Sequence, residues 1–386
     1  MTIAIWAAGA FTIAATATHI TSIAIATSRC RKIKHSASFS AFTLVLTSAP
    51  AGAPGVSVVR PVCGIENHGE ETLRSAFRLD YPRYEIIFCA AFANDAAVPL
   101  VRRLIASHPH VPARLLIGNE AISDNPKLNN VCKGWRAAEY DWIVMADSNV
   151  LMPRDYIQRL LAAWRADTGL VASPPIGSRP DGFWAELECA FLNTYQARWQ
   201  YTSDSIGLGF AQGKSMLYRK RLIENAGGIA ALAAEPAEDA ATTKIVRDAG
   251  LRVRLVDAPF EQPLGDRRAG DVWARQARWA RLRQASFRRY YALKIFGSAG
   301  VPLIAAAYVA AAAGLPLASV VALAAIWYGA EAALAHAAGW QLAVRSPLAW
   351  MLRDLLLLWL WTDGWFGTAV IWRGHHIRTV ESESTV

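Results

Sequence analysis

"IVMADSNVLMP", residues 143–153, is the stretch on which the reading of this chain turns. An apolar run, Ile143 to Ala146, stops at Asp147-Ser148-Asn149 before apolar residues resume. A buried strand ending on a carboxylate, a hydroxyl and an amide is either a plain turn or a place where oxygen ligands meet a metal or a phosphate. Mg²⁺ favours oxygen donors and often shares them with phosphates. The triplet by itself leaves both readings open.

Similar apolar runs lie upstream. "VSVVRPV" (56–62), "YEIIFCA" (84–90) and "ARLLIG" (113–118) precede "DWIVMAD" (141–147), with helix-like stretches around 70–78, 95–108 and 126–139 between them. Strands alternating with helices predict an α/β fold with a parallel sheet covered on both faces. Ligands in such sheets bind beyond the carboxyl ends of the strands. Asp147 falls at one such end, as do Glu66 after the first strand and Asp95 after the second. Downstream, "DGFWAELECAFLNTYQARWQ" (181–200) reads as a helix apolar on one face, and "EPAEDAATTKIVRDAG" (235–250) as a helix ended by Gly250. No internal repeat is visible. "GLGFAQGKS" tempts toward an ATP-binding loop, which needs four residues between its first Gly and Gly-Lys-Ser. Gly209 leaves three and Gly207 five, and a strand-like run follows, so that reading fails. Gly213 instead suggests close approach of the backbone to a ligand or another segment.

The totals narrow the class. The 386 residues are 53% hydrophobic with 15 Trp, and the mean hydropathy is +0.19. That is too apolar for an ordinary soluble enzyme and too charged for a pure transporter, so a soluble domain joined to membrane segments is expected. The net charge of +9 attracts nucleic acid or anionic lipid. Arg far outnumbers Lys and Ala is abundant, as in GC-rich bacterial genomes. The five cysteines are scattered without a CxxC pair, which predicts reduced packing residues rather than zinc or a disulfide frame.

Residues 3–27 carry no Asp, Glu, Lys or Arg and suit a span of a hydrocarbon core ~30 Å thick. Charge follows in "RCRKIK" (29–34), which by the positive-inside rule places the chain after it in the cytoplasm. His19, alone in the span, reads as packed or interfacial. The expected organisation is a transmembrane helix (1–28), a basic juxtamembrane linker (29–55), a cytoplasmic catalytic domain (56–265), a basic interfacial helix (266–292), a C-terminal membrane region (293–372) and a tail (373–386). Within the membrane region, 295–314 and 316–338 read as a helical hairpin around Gly314-Leu315-Pro316. Arg353, Asp354, Asp363 and Gly364 interrupt 347–372, so two spans plus an interfacial or re-entrant segment are expected. Between Arg267 and Arg289 lie eight arginines and one acid, interleaved with Trp273, Trp279 and Phe287. Such a helix commonly lies on an anionic membrane. Apolar segments on both sides of the chain favour that over nucleic acid.

Two further elements carry chemistry. Asp239 follows Glu238 near a helix start, where acids either offset the helix dipole or, beside a hydroxyl nucleophile, act as general base. "RQARW" (275–279) is either a surface helix face or a phosphate clamp, since guanidinium donates bidentately to phosphate.

Together these elements resemble the processive-type family of membrane glycosyltransferases, and within it the ceramide glucosyltransferases. The similarity covers roughly 56–290, through "LDYPRYEIIFC", "ARLLIGN", "NPKLNN", "ADSN", "GKSMLYRK", "AGGI" and "AED", with membrane segments at both ends. The resemblance implies a glycosyltransferase A-type (Rossmann-like) domain, a UDP-sugar donor with Mg²⁺ or Mn²⁺, a membrane lipid acceptor and inversion at the anomeric carbon. It makes Asp239 the catalytic base and Asp147 the contact to diphosphate and metal, with Asn149 as a further metal ligand. Pro61, Glu66, Asp95, Lys127, Asn130, Arg275, Arg278 and Trp279 would line the donor side. The implied setting is an integral membrane protein, in a bacterial inner membrane, with its catalytic domain in the cytoplasm. One departure stands out: relatives carry an Asp cluster after the second strand, whereas here the run is "CAAFANDAA", with Phe92 at the leading position. Tyr195 stands where a His is expected. The rival readings are the same chemistry on diacylglycerol, a hopanoid or a polysaccharide, and a degenerate enzyme serving as a membrane scaffold.

Overall fold

A computed structural model describes residues 3–35, 52–367, 370–372 and 375–377. The sequence-derived linker over 36–51 and most of the tail lie outside them. The sheet-bearing part is built in chain order from β1 (Val56–Val62), α2 (Gly69–Ser75), β2 (Tyr84–Ala90), α3 (Ala97–Ser107), β3 (Ala113–Ile117), α4 (Pro126–Ala137), β4 (Trp142–Ala146) and α5 (Tyr156–Ala162), after a long N-terminal helix α1 (Ile3–His35). There follow β5 (Thr168–Ala172), β6 (Ile176–Asp181), α6 (Phe183–Ala190), a π-helical segment Phe191–Ala197, α7 (Arg198–Ser205), β7 (Ser215–Arg219), α8 (Lys220–Asn225), α9 (Glu238–Asp248), β8 (Arg252–Leu255) and β9 (Glu261–Asp266). The remainder is α10 (Ala269–Ser286), α11 (Arg288–Leu293), α12 (Gly300–Ala313), α13 (Ala318–Ala338), α14 (Ser346–Phe366) and a short antiparallel pair, Val370–Trp372 and His375–Ile377.

The main sheet has the order β3-β2-β1-β4-β7-β5-β8. Its members run parallel except β7, which is antiparallel to both β4 and β5. β1 and β2 are buried along nearly their whole length, as unbroken apolar runs covered on both faces should be. One face packs under α4 through Val59, Ile87, Met145 and Trp135, and the other under α3 and α5 through Val58, Phe88, Leu104 and Ile157. Because β1, β2 and β4 are parallel, their carboxyl ends gather at one edge, and the loops after them form the site.

Arg60, on β1, is buried outright. It donates to the carbonyls of Thr72 (2.8 Å), Asp147 (2.9 Å), Ser148 (3.1 Å) and Val150 (3.0 Å). One guanidinium thus satisfies the backbone oxygens that the turn 147–150 would otherwise leave without partners. The β4 turn is clamped from inside the domain.

Two helices, over Ile3–Arg31 and Ala318–Ala338, are long and apolar enough to cross a membrane. A third candidate is the pair Arg288–Gly297 and Gly300–Ala313, bent by 50°. These fit an integral membrane protein. α12 and α13 form a hairpin closed by Gly314 at φ 67°. α14 is a continuous helix; of the charges that interrupt its sequence, Arg353 and Asp354 are buried and Asp363 is half-buried against Arg281. α1 continues as helix through the basic segment, and Arg29 there donates to Asp204 (2.9 Å), to the Leu255 carbonyl (3.0 Å) and to Asp257. His19 is packed: its ring stacks on Trp327 at 3.9 Å, and it contacts Arg198. None of the five cysteines forms a disulfide among the described residues; Cys30, Cys89, Cys132 and Cys189 are buried packing residues as expected, whereas Cys63 is exposed.

The cationic helix differs from its sequence reading. α10 packs against α14 and α6, and several of its arginines turn inward. Arg275 meets Glu188, Arg281 meets Asp363 (2.8 Å) and Arg283 donates to Gln196 (3.3 Å). Counting charges along a helix cannot show which of them already have partners.

Candidate active site

The loops at the carboxyl edge of the sheet open into a cavity of about 1580 Å³. Asp147 enters from the β4 turn and Asp239 from the first turn of α9, and both line this cavity. Lys127, in the first turn of α4, links them. Its Nζ lies 2.7 Å from Asp147 Oδ1 and 2.7 Å from Glu238 Oε1, and donates to the Gly213 carbonyl at 2.5 Å. The Gly213 amide in turn donates to Asp239 Oδ2 at 2.9 Å. The close approach anticipated at Gly213 is therefore to protein groups. A Cβ there would sit 2.8 Å from Glu238 Oε1 and 3.0 Å from Lys127 Nζ, so a side chain would push the ionic bridge apart.

Local sequence explains these placements. Asn125 caps α4, accepting from the Lys127 and Leu128 amides at 2.9 and 3.2 Å, with Pro126 at the first helical position. The Asn125 amide also donates to Glu238 Oε2 at 2.9 Å. A single cap thus fixes Lys127 and Glu238 together. Asn130, one turn on, donates to the Cys89 carbonyl at 2.8 Å and the Val62 carbonyl at 3.4 Å, tying the ends of β1 and β2.

Electrostatics separate the two carboxylates. Asp147 is half-buried, and that withdrawal from water alone would raise its pKa, but the ammonium groups of Lys127 and Lys214 hold it well below the ordinary carboxylate range. Asp239 is pushed the other way, to about 6, first by burial and then by the adjacent Glu238 carboxylate. One acid is held ionised beside cations. The other is poised to exchange a proton near neutral pH, as a general base needs.

Glu66 lies on the same side as Asp147. It accepts from Asn149 Nδ2 at 3.0 Å and sits 3.6 Å from Arg267 Nη2. Although burial opposes it, Lys214, Asn149, Arg275 and Arg267 depress its pKa. Pro61, Lys127, Asn130, Arg275, Arg278 and Trp279 line the cavity with them. Asp95 does not join this group. Its carboxylate accepts from the Gly64 amide (2.9 and 3.1 Å) and the Ala97 amide (2.8 Å), where it starts α3 and pins the loop after β1. Phe92 and Cys63, rather than Asp95, line the cavity on that side.

Lys214 Nζ is 2.8 Å from Asp147 Oδ2 and 3.4 Å from Asn149 Oδ1, so these two oxygens face one cationic position. Among the described residues no three His, Cys, Asp or Glu side chains cluster as a complete metal cage. Two oxygen donors fit a Mg²⁺-type ion whose shell is completed by water and substrate phosphate.

Sequence reasoning missed three participants. Lys214 stands in the sequence within the rejected loop motif and the "GKSMLYRK" run, with no role assigned to it. Glu188, buried on α6, lies 3.2 Å from Arg267 Nε and also binds Arg275, so it orients the cationic wall. Arg60 shapes the β4 turn. The first could have been found as a Lys beside Gly213; nothing in the sequence marks the other two.

The cavity does not end at the polar groups. It continues to Phe11, Ala14, Ala15 and Thr18 of α1 and to Tyr290, Leu293 and Phe296 after α10. The wall on that side belongs to a helix able to span a membrane.

The chain is similar to several known proteins. Ceramide glucosyltransferase 1 of Caenorhabditis elegans is 29% identical over 234 residues, 60% of this chain and 50% of that protein. Ceramide glucosyltransferase of Komagataella phaffii is 32% identical over 223 residues, 52% of this chain and 44% of that protein. The chain thus spans about half the length of the curated relatives it matches. Among solved structures, a Pyrobaculum calidifontis mannosyltransferase, described in complex with GDP-Man and Mn²⁺, is 20% identical with a TM-score of 0.49, covering 93% of this chain and 99% of that one. The mixed sheet with its single reversed strand and the terminal apolar helices make the fold the glycosyltransferase A-type α/β architecture expected from the sequence. A model of glycosyl transferase family 21 matches residues 14–385, nearly the whole length, and the chain belongs to that family.

Proposed function

We propose that this protein transfers a hexose from a UDP-sugar to a hydroxyl of a membrane lipid, ceramide-like in character, with inversion at the anomeric carbon. The observation that carries this reading is the single cavity holding Asp147 at one end of the Lys127–Gly213 bridge and Asp239 at the other, with a membrane helix as its far wall.

In the proposed step Asp239 accepts the proton of the lipid hydroxyl. The oxygen attacks the anomeric carbon from the face opposite the diphosphate, the bond from that carbon to the diphosphate oxygen breaks, and UDP departs. Lys127, Lys214, Arg275 and Arg278 are the cations on hand to disperse charge on the leaving diphosphate, as preorganised electrostatics do. Asp147 and Asn149 would hold Mg²⁺ or Mn²⁺, which when bound supplies further charge neutralisation at the diphosphate. Glu238 keeps Asp239 basic enough to act, and the Gly213 amide fixes its direction. Arg29 and α1 would hold the site at the cytoplasmic bilayer surface, with exposed residues of the arginine-rich segment against anionic lipid.

The test is lipid mass spectrometry of a heterologous host making the wild type or Asp239→Asn, with UDP binding of the purified proteins measured in parallel. A new glycolipid with the wild type alone, and UDP binding by both, supports the reading. Equal glycolipid profiles overturn the base assignment. No UDP binding and no glycolipid with the wild type would support the scaffold reading instead. The glycolipid's mass distinguishes ceramide from diacylglycerol, hopanoid or polysaccharide acceptors.

A further inference from the structure

One end of the cavity takes no part in the reaction described above. There, beyond the carboxyl end of β2, stands Phe92, a large apolar side chain that is 58% exposed and lines the cavity. Its loop is firmly tied. The Asp95 amide donates to the Phe92 carbonyl at 3.3 Å, and the Asp95 carboxylate accepts from the Gly64 and Ala97 amides. Asp95 thus joins the loop that carries Phe92 to the loop after β1. Ala91, Ala121 and Cys63, all small, line the cavity on the same side. A flat aromatic side chain is held in place among small neighbours, with much of its surface open.

The order of the strands indicates what would cover it. Across the sheet they run β2-β1-β4-β7. Asp147 follows β4. Gly213, whose amide holds Asp239, comes two residues before β7, which is antiparallel and begins at this same edge with Ser215 opposite Ala146. Phe92 lies on the other side of Asp147, two strands away. Neighbouring strands are about 4.8 Å apart, so the ends of β2 and β4 are separated by roughly 10 Å. That is the reach of a nucleoside from its diphosphate, across the ribose, to its base. With the diphosphate at Asp147 and the hexose toward Asp239, the base falls at Phe92.

We propose that Phe92 is the platform on which the donor's nucleobase stacks, and that the base is held by its face rather than read by its edge. This rests on the nucleotide-sugar reading above. Stacking on an aromatic ring tolerates any base, because every base has a π-face. Asn119 and Asp124, from the loop after β3, also line the cavity, and both are exposed, so water competes with any contact they make to a base edge. The choice of donor is then set by the diphosphate and the sugar, and a purine nucleotide takes the same seat as uridine.

The experiment measures calorimetric binding of UDP, GDP and inorganic pyrophosphate, with Mg²⁺ present, to the full-length protein in detergent as wild type, Phe92→Ala and Phe92→Trp. Pyrophosphate carries the diphosphate without a base. Wild type should bind UDP and GDP within about tenfold of each other. Phe92→Ala should weaken both roughly 5- to 150-fold, the usual cost of losing one base–aromatic stack, with pyrophosphate affinity and melting temperature unchanged. Phe92→Trp should keep nucleotide binding. A second readout needs no variant: UDP and GDP should shield Cys63, the exposed cysteine, from maleimide better than pyrophosphate does. UDP binding unchanged in Phe92→Ala, or lost together with pyrophosphate binding, would overturn the platform and leave the functional reading standing. Equal shielding of Cys63 by pyrophosphate would do the same. A preference for UDP over GDP beyond the stated range would show that the base edge is read, and would also overturn the proposal. Wild type that binds neither nucleotide nor pyrophosphate would bring down the functional reading, and the platform with it.

Discussion

Two ionic clusters in the molecule, one lining the cavity and one away from it, are built from the same parts. In the first, Lys127 lies between Asp147 and Glu238. In the second, Arg353 of α14 lies between Glu331 of α13, with two contacts of 2.8 Å, and Asp354 at 2.9 Å. The second is closed. Thr194 donates to Glu331 at 2.7 Å, Tyr328 to Asp354 at 3.2 Å, and the three charged side chains are at most 3% exposed. The first is open on one side toward the cavity and carries an extra carboxylate, Asp239, which accepts from the Gly213 amide. The difference separates two uses of buried charge. A saturated cluster fixes helices to one another; an unsaturated one leaves a group whose protonation is easily changed.

Exchanging the roles of these clusters by mutation should expose that separation. The largest expected effect is on chemistry. Asp239→Asn should lower turnover by roughly 10²–10⁴, the usual contribution of a positioned base, while calorimetric UDP affinity stays near wild type. A loss smaller than tenfold would remove Asp239 from the base role. Next comes the closed cluster. Arg353→Met strands Glu331 and Asp354 and should destabilise the protein by about 3–5 kcal/mol, seen as a lower melting temperature in detergent. Adding Glu331→Leu and Asp354→Leu should restore most of the loss, since well-packed apolar replacements of buried ion pairs are often neutral. If Asp239→Asn and Arg353→Met destabilise equally, the two clusters do not differ as argued.

Smaller effects sharpen the contrast within the open cluster. Lys214→Ala removes one charge-assisted contact to Asp147, worth about 1.5–3 kcal/mol in such settings. It should raise the donor KM roughly 10-fold or more with less change in kcat, read from initial rates. The mildest signal is in pH. Asp239 has a native pKa raised to about 6 from an ordinary 3.8. Between those values the native state holds the proton more tightly than the unfolded chain, so this group's contribution to stability falls as pH rises from about 4 to about 6. Activity moves oppositely, rising through about pH 6 as the base ionises. Asp239→Asn should flatten that part of the stability profile, measured by denaturant midpoints across the range.

The fold was largely legible because its signals are local. β1 and β2 have the same bounds as the apolar runs quoted from the sequence, and α4 begins at the Asn-Pro pair that caps it. Asp147 and Asp239 could be picked out by position, one at a strand end and one at a helix start. What could not be read was pairing. Nothing local says that Arg60 of β1 grips a turn 87 residues away, that Glu188 meets Arg275, or that the arginines of α10 find carboxylates on α6 and α14. Asp95 misled for the same reason: a strand-end acid can serve a ligand or simply cap the following helix, and here it accepts from backbone amides. Long-range partners decide between such roles, and a linear pattern does not contain them.

A helix long and apolar enough to cross a membrane also supplies part of the cavity wall, through Phe11, Ala14, Ala15 and Thr18. A catalytic fragment cut free of its anchor would therefore be missing a wall, not merely a tether. On the proposed function, a lipid acceptor would be metered by its mole fraction in one leaflet rather than by its solubility in water. Turnover in the cell would then respond to changes in bilayer composition even at constant enzyme and nucleotide-sugar levels.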